Sequence, residues 1–112
     1  MILLTGATGF VGSYVARQLV SEGVKLRCLV HSAAKAGRLT GLGAELAWGD
    51  VTDPGSLAEA VKGVEAVIHL VAVIVEKGPA TFERVNYQGT VNLLEACRGV
   101  EALRAVLLKG AP

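Results

Sequence analysis

The feature that most constrains this chain is a glycine-rich turn that follows an apolar run and leads into a helical pattern. Residues 1–4 are apolar and predict a short buried strand, whereas residues 10–22 predict a helix. Gly6, Gly9 and Gly12 mark the turn, three residues apart. Such a turn is typical of a phosphate site, because backbone N–H groups and the positive end of the helix dipole face the ligand.

Each glycine is expected to serve a different physical purpose. Gly6 lets the chain turn sharply off the strand, and Gly9 leaves no β-carbon between the backbone and a ligand. Gly12 lets the helix pack close to the sheet. The spacing G-x-x-G-x-x-G differs from the commoner G-x-G-x-x-G. The glycines therefore match the usual fingerprint in their physical roles but not in their spacing. The alternative is a glycine-rich connection that binds nothing.

Strand-like and helix-like segments alternate along the rest of the 112 residues. This alternation predicts one doubly wound, Rossmann-like α/β domain over residues 1–112, with a parallel sheet and right-handed crossovers. The expected strand order is 3-2-1-4-5, with a ligand at the carboxyl ends of the strands, near the switch between the first and fourth. The predicted strands are residues 1–4, 24–30, 45–48, 64–70 and 103–108.

Apolar spacing predicts which helix faces pack on the sheet. Asp53 and Pro54 predict the cap and first turn of a middle helix. Residues 81–98 predict the clearest helix of the chain. The inner-face residues indicated by this spacing are Val11, Val15, Leu19 and Val20 in the first helix, and Phe82, Val85, Gly89, Leu93 and Ala96 in the last.

Composition and charge argue against several classes of partner. A formal net charge of +1 gives no field to attract nucleic acid or an anionic membrane, and aromatic residues for stacking on bases are few. The longest apolar run, residues 66–75, is too short to span a bilayer, and nothing predicts secretion. Cys28 and Cys97 lack companions at metal-ligand spacing and predict two buried, reduced thiols in a cytoplasmic protein.

Four motifs, in order along the chain, resemble the extended and atypical short-chain dehydrogenase/reductase superfamily, with its NAD-dependent epimerases and dehydratases. Residues 5–12 are similar to its TGxxGxxG motif, and residues 49–52 (GDVT) to its acidic motif on the adenine side. Residues 68–72 (IHLVA) are similar to the end of its fourth strand, and residues 85–96 (VNYQGTVNLLEA) to its N-x-x-G-T-x-N-L-L-E-A helix. Within the superfamily, residues 73–83 most resemble the branch that holds an accessory subunit of respiratory complex I, an NADH dehydrogenase.

The resemblance implies a nicotinamide dinucleotide as cofactor, NAD or NADP. Asp50 and Val51 would meet the adenine, through the carboxylate and a backbone N–H. Asp50 could instead be only a solvated loop residue or a turn former. The residues implied to hold the diphosphate lie in and just after the glycine turn: Gly6, Thr8, Gly9, Phe10, Val11 and Gly12.

At the other end, the resemblance implies contacts with the nicotinamide half. Leu70, Val71 and Ala72 would line the path toward the nicotinamide ribose, although Val71 is bulkier than the small residue usual there. Asn86 would lie beneath the nicotinamide, or would only hydrogen-bond within its helix. His69 is interpreted as a packed, structural histidine.

Three further polar positions are given structural or surface interpretations. Asn92 is predicted to tether loops. Arg27 and Arg84, together with other scattered charges, are predicted to be ordinary solvated residues.

The end of the predicted second strand indicates which dinucleotide is preferred. NAD-preferring sites usually place an acid there, to hold both ribose hydroxyls. This chain has His31 and Ser32 instead, followed by Lys35 and Arg38. In similar proteins an Arg at the position of His31 favours NADP, so NADP(H) is predicted over NAD(H).

The residues that carry proton transfer in the superfamily are missing from this sequence. Its Tyr-x-x-x-Lys pair is absent, since Gln18 follows Tyr14 at that spacing and Val91 follows Tyr87. Two functions therefore stay open. The chain is a dinucleotide-binding module without catalysis, or it is a truncated part of an oxidoreductase, epimerase or dehydratase acting on a carbonyl, sugar-nucleotide or quinone-related substrate.

The fifth predicted strand has a consequence for assembly. Full-length members of the superfamily add further strands beside it, so residues 103–108 are expected to form a bare apolar edge. Such edges recruit another chain. The prediction is a homo-oligomer through this edge, or a subunit of a larger complex.

Overall fold

A computed structural model of the chain describes residues 1–39, 41–71 and 76–108. Its strands are β1 (Ile2–Thr5), β2 (Leu26–Val30), β3 (Glu45–Trp48), β4 (Ala66–His69) and β5 (Ala105–Leu108). Its helices are α1 (Phe10–Ser21), α2 (Ala33–Ala36), α3 (Pro54–Ala60), a π-helix (Phe82–Gln88) and α4 (Gly89–Cys97), with a 3₁₀ turn at Gly37–Leu39. All strands pair in parallel in the order β3-β2-β1-β4-β5, which confirms the predicted fold class.

The sheet is organised around β1, which pairs with β2 on one side and β4 on the other. Leu3 and Leu4 of β1 are fully buried. Because successive side chains of a strand point to opposite faces, Leu3 lies in the core on one face and Leu4 in the core on the other. The two cores meet at β1, whose last residue, Thr5, leads directly into the glycine turn.

Helices cover both faces of the sheet. On the face that holds Leu4, Ala16 of α1 and Ala36 of α2 belong to the core. On the opposite face, Leu57 of α3 and Leu93 of α4 belong to the core, and both are fully buried. This covering explains why the strands read as nearly continuous apolar runs.

Both cysteines are buried and free, as predicted, and they lie in the cores on opposite faces of the sheet. Burial raises the pKa of the Cys28 thiol to about 11, and it also raises the pKa of Cys97. Because the thiolate is the reactive form, both side chains are chemically inert packing groups near neutral pH.

The buried face of α1 is narrower than predicted. Val11 is 45% exposed, so its predicted burial is wrong. Gly12 is the residue that approaches the rest of the chain at this point, and Val11 lies about 100° away around the helix. The remaining prediction is confirmed, because three residues of α1 pack partly buried against the core: Val15, Leu19 and Val20.

The helix predicted over residues 81–98 is two helices of different pitch. The first turns are π-helical and the rest is α-helical. Val85, Gly89 and Leu93 are buried as predicted, but Phe82 is 46% exposed. A β-carbon at Gly89 would lie 2.8 Å from Cγ2 of Val51, so this glycine brings the helix close to the segment after β3.

The start of α3 differs from the prediction in one detail. Pro54 is its first residue and Asp53 is its N-cap, but the Asp53 side chain makes no capping hydrogen bond with any described residue. Ser56 organises the turn instead. Its hydroxyl oxygen accepts a hydrogen bond from the Asp50 N–H at 2.9 Å, and the hydroxyl donates to the Asp53 carbonyl at 2.8 Å.

Arg27 is a structural cation rather than the solvated charge predicted. Its side chain is only 15% exposed and pairs with Glu45 at 2.7 Å. The guanidinium also donates to the backbone carbonyls of Ala60 and Lys62, at 2.7 and 2.9 Å. Arg27 therefore ties β2 to the end of α3, where carbonyl groups lack partners within the helix.

Candidate functional site

A cavity of about 560 Å³ opens at the carboxyl ends of four neighbouring strands. Segments that follow β1, β2, β3 and β4 line it, and part of the π-helix closes one side. This is the crevice in which open α/β sheets bind their ligands. The lining residues are Gly6, Thr8, Gly9, Leu29, Val30, His31, Ser32, Lys35, Gly49, Asp50, Val51, Thr52, Leu70, Val71, Pro79, Ala80, Arg84 and Val85.

Gly6 makes the sharp turn off β1 that the sequence predicts. Its φ of +77° is a left-handed conformation that favours glycine. A β-carbon at this position would also lie 2.8 Å from the carbonyl carbon of Leu70. Gly6 therefore brings the turn against the segment that follows β4.

Gly12 has a different partner from the one predicted. A β-carbon at Gly12 would overlap the carbonyl oxygen of Gly6 and lie 2.6 Å from its carbonyl carbon. The close approach is therefore between α1 and the glycine turn itself, not between α1 and the sheet. This contact places the first turn of α1 directly at the end of β1.

Gly9 lies at the N-cap of α1 and lines the cavity. Its backbone is extended, with φ −78° and ψ 175°, so other residues could adopt the same conformation. The nearest atom to an added β-carbon would be the Gly6 carbonyl oxygen, at an ordinary 3.4 Å. A side chain at Gly9 would therefore fit the fold and would occupy space that a ligand needs.

The N-terminus of α1 lacks a side-chain cap from any described residue. Its first turn contains no acidic residue. The first N–H groups of an α-helix have no carbonyl partner within the helix. Phe10 and Val11 are exposed and do not line the cavity, so a contribution from them to anion binding would come from their backbone N–H groups.

Asp50 is the turn former that the alternative interpretation predicted. Its Oδ1 accepts hydrogen bonds from the backbone N–H and the hydroxyl of Thr52, both at 2.9 Å. The second carboxylate oxygen, Oδ2, lies 3.8 Å from Nδ1 of His31, and both side chains are substantially exposed. A role for Asp50 toward adenine stays a prediction.

Val51 is held in place by Asn92, which confirms the predicted tether. Nδ2 of Asn92 donates to the Val51 carbonyl at 2.8 Å, and its Oδ1 accepts from Nε2 of Gln88 at 2.9 Å. Asn92 is buried, and so is Val51. The amide therefore joins α4 to the segment that follows β3.

Polar and basic side chains follow the end of β2. His31, Ser32 and Lys35 line the cavity, and the roles of His31 and Ser32 in cofactor binding stay predictions. Arg38 is not among the lining residues, but Nη1 of Arg38 donates to the Thr8 carbonyl at 3.0 Å. Lys35 therefore lines the same cavity as the glycine turn, and Arg38 contacts the turn directly.

The side of the cavity formed after β4 is described in part. Leu70 and Val71 line it, whereas Ala72 lies outside the described residues. Asn86 is partly buried in the π-helix and is not among the lining residues. The role of Asn86 beneath the nicotinamide stays a prediction.

Sequence reasoning missed the wall that comes from the π-helix and the residues just before it. Arg84 and Val85 line the cavity together with Pro79 and Ala80. Arg84 was interpreted as a solvated charge, and its spacing gives no signal that distinguishes it from one. Thr52 was also missed, although its place beside Asp50 in a turn after a strand could have indicated it.

His69 is buried and both of its ring nitrogens have partners, which confirms the structural interpretation. Nδ1 lies 2.6 Å from the Thr5 hydroxyl, and Nε2 lies 3.2 Å from the Thr90 hydroxyl. Burial lowers the pKa of His69 below its usual value, since desolvation penalises the charged ring.

The described part of the chain lacks two other kinds of feature, a cluster of metal ligands and a membrane-spanning helix. No group of three or more His, Cys, Asp or Glu side chains is arranged to hold a metal ion. None of the helices described combines the length and apolar character needed to cross a membrane.

Comparison with known proteins agrees with this geometry. The profile of the NAD dependent epimerase/dehydratase family matches residues 2–109. The photosystem II assembly factor Ycf39 of Cyanophora paradoxa is 35% identical over 100 residues, which cover 89% of this chain and 31% of that protein. The crystal structure of gox2253 superposes with a TM-score of 0.84 at 40% identity, covering 96% of this chain and 33% of the other.

A second similar crystal structure was obtained with bound NAD. A short-chain dehydrogenase/reductase superfamily protein of Agrobacterium tumefaciens with bound NAD has a TM-score of 0.77 and 32% identity, covering 96% of this chain and 31% of the other. The fold is that of the dinucleotide-binding α/β proteins. The chain belongs to the NAD dependent epimerase/dehydratase family, which uses NAD or NADP, and it spans about a third of the length of these relatives.

Replacing Gly9 or Gly12 with alanine is expected to change the free energy of unfolding by different amounts. Gly12→Ala should cost at least about 3 kcal/mol of unfolding free energy, because the new β-carbon overlaps the Gly6 backbone. Gly9→Ala should change it by less than about 1 kcal/mol, because its backbone conformation and surroundings accept a β-carbon. Urea unfolding followed by circular dichroism measures both, and equal losses would contradict the assigned contact.

Proposed function

We propose that this chain binds a nicotinamide dinucleotide in the cavity, with the diphosphate on the first turn of α1. The observation that carries the proposal is the close contact between Gly12 and the Gly6 carbonyl. This contact is possible because Gly12 has no β-carbon. That contact sets the N-terminus of α1, which no described side chain caps, at the mouth of the cavity, where backbone N–H groups and the helix dipole favour an anion. The NAD bound to the Agrobacterium relative supports the same ligand class.

The two ends of the cavity suit different halves of the ligand. Asp50 and Val51 follow β3 and are proposed to meet the adenine. Leu70 and Val71 follow β4 on the other side of β1 and are proposed to approach the nicotinamide ribose. Ala72 and Asn86 are proposed to contact the same half of the ligand. The dinucleotide would then cross the end of β1, where the glycine turn lies.

We further propose that NADP(H) is preferred over NAD(H). Residues after β2 offer no carboxylate to the ribose hydroxyls, whereas Lys35 lines the cavity and Arg38 is anchored on the Thr8 carbonyl. A 2′-phosphate would meet these two cations. His31 and Ser32 complete this side of the cavity.

The chain is proposed to bind without carrying out chemistry by itself, since its 112 residues hold no Tyr-x-x-x-Lys pair. The alternative is an oxidoreductase, epimerase or dehydratase whose proton-transfer residues lie outside these 112 residues. The length of the relatives favours keeping this alternative, because the matched region is 31% of Ycf39 and 33% of gox2253. We also propose a reducing, cytoplasmic location, which is compatible with both a binding module and a part of an enzyme.

Replacing Gly9 tests the diphosphate site. Gly9→Val should weaken NADPH binding more than about tenfold, because its side chain would occupy the space needed by the ligand. Titration followed by NADPH fluorescence measures the affinity. Gly55→Val is the matched control, since Gly55 lies in α3 and is not among the cavity residues. A folded Gly9→Val variant with unchanged affinity would refute the proposal.

Cofactor preference is tested by charge removal. Replacing Lys35 and Arg38 together with Gln should weaken NADP(H) about tenfold and leave NAD(H) unchanged, because only the former carries the 2′-phosphate. Calorimetric titration of both dinucleotides measures the difference. Lys25→Gln with Lys62→Gln removes the same charge from exposed positions away from the cavity. Tighter binding of NAD(H) to the unaltered chain would reverse the assignment.

We also propose that a second copy of the chain pairs along β5. This strand is an edge of the described sheet, and Leu107 and Leu108 are 62% and 44% exposed. Strand edges of this kind pair with other chains unless they are blocked. Sedimentation should show a dimer that Leu107→Lys dissociates. A monomer at high concentration would count against it, and a different subunit on this edge is the alternative.

A further inference from the structure

A continuous series of hydrogen bonds connects the end of β1 with the junction between the π-helix and α4. Oγ1 of Thr5 lies 2.6 Å from Nδ1 of His69, and Nε2 of His69 lies 3.2 Å from Oγ1 of Thr90. The Thr90 hydroxyl donates to the Asn86 carbonyl at 2.7 Å. Thr5 and His69 are buried and Thr90 is partly buried. We call these three side chains the Thr5–His69–Thr90 relay.

The carbonyl at one end fixes the direction of the whole relay. A carbonyl oxygen can only accept, so the single hydroxyl hydrogen of Thr90 points to Asn86. Thr90 must then accept from His69, which places the histidine proton on Nε2. In the neutral ring Nδ1 is the acceptor, so the Thr5 hydroxyl donates to it. Burial lowers the pKa of His69, which agrees with a neutral ring.

Each end of the relay is attached to a different wall of the cavity. At one end, the Thr5 hydroxyl oxygen also accepts from the N–H groups of Leu70 and Val71, at 3.1 and 3.4 Å. Both of these residues line the cavity. At the other end, Asn86 directly follows Arg84 and Val85, which also line the cavity but come from the π-helix.

The relay also crosses a change of helix type. Asn86 belongs to the π-helix, and Thr90 is the second residue of α4. A π-helical turn is wider than an α-helical one and costs stability, so it persists where other contacts fix it. The bond from Thr90 back to the Asn86 carbonyl is a contact across this junction.

We propose that the Thr5–His69–Thr90 relay sets the spacing between these two walls and so positions the nicotinamide-bearing half of the dinucleotide. His69 and Thr90 are then positioning residues for that half only, because the adenine side is built by His31 and Asp50 after other strands. This inference rests on the proposed function.

Two ligands separate the halves of the site. ADP carries the adenine and the diphosphate but lacks the nicotinamide ribose, whereas NADPH carries all of them. Thr90→Val removes the hydroxyl while keeping the shape, and Thr90→Ser keeps the hydroxyl. Thr90→Val should weaken NADPH about fivefold and leave ADP affinity unchanged, and Thr90→Ser should match the unaltered chain for both ligands.

Other outcomes have definite meanings. Equal affinity of all three chains for NADPH would overturn the positioning role, and so would an equal loss of ADP and NADPH affinity in Thr90→Val. If the unaltered chain binds neither ligand, the proposed function fails and the positioning role fails with it. If ADP and NADPH bind but Thr90→Val is without effect, only the positioning role fails.

The direction of the relay has an independent spectroscopic test that needs no ligand. Two-bond ¹⁵N–¹H correlation spectra distinguish the two neutral histidine tautomers, and His31→Gln removes the only other imidazole from the spectrum. The proton of His69 should be on Nε2 at neutral pH. A proton on Nδ1 would overturn the assigned direction.

Discussion

The contact between Gly12 and the carbonyl of Gly6 is the constraint on which the rest of this structure depends. Position 12 accepts no side chain, because even a β-carbon would overlap the Gly6 backbone. Only with that contact does the first turn of α1 lie at the carboxyl end of β1, between the ends of β2 and β4. The helix N-terminus then faces the cavity that four strands share. The polar residues that follow the other strands become a site because this terminus is at their centre.

Much of the fold follows from local sequence signals, and the exceptions have local physical reasons. Apolar runs predicted most of the strands, because a parallel sheet covered on both faces needs such runs, and the alternation of strands with helices predicted their order. Spacing could not separate the π-helix from α4, since Val85, Gly89 and Leu93 stay on one face in either geometry. Nor could it show that Arg27 reaches two carbonyls at the end of α3, because that contact joins residues far apart in sequence.

The site was predictable where it is built from the ends of strands. Gly9, His31, Asp50 and Leu70 come together because the carboxyl ends of parallel strands share one edge, which topology alone implies. Arg84 arrives from the π-helix, and nothing in its local spacing connects it with that edge. Asp50 shows that two interpretations need not compete, since one carboxylate oxygen holds the turn while the other faces His31.

The two thiols have a practical consequence of a different kind. Cys28 lies fully buried in a strand next to the centre of the sheet, and its pKa of about 11 keeps it protonated. An alkylating reagent has nothing to attack until the layers above that strand separate. The rate at which Cys28 is alkylated therefore reports opening of the central sheet, and the measurement needs no added label.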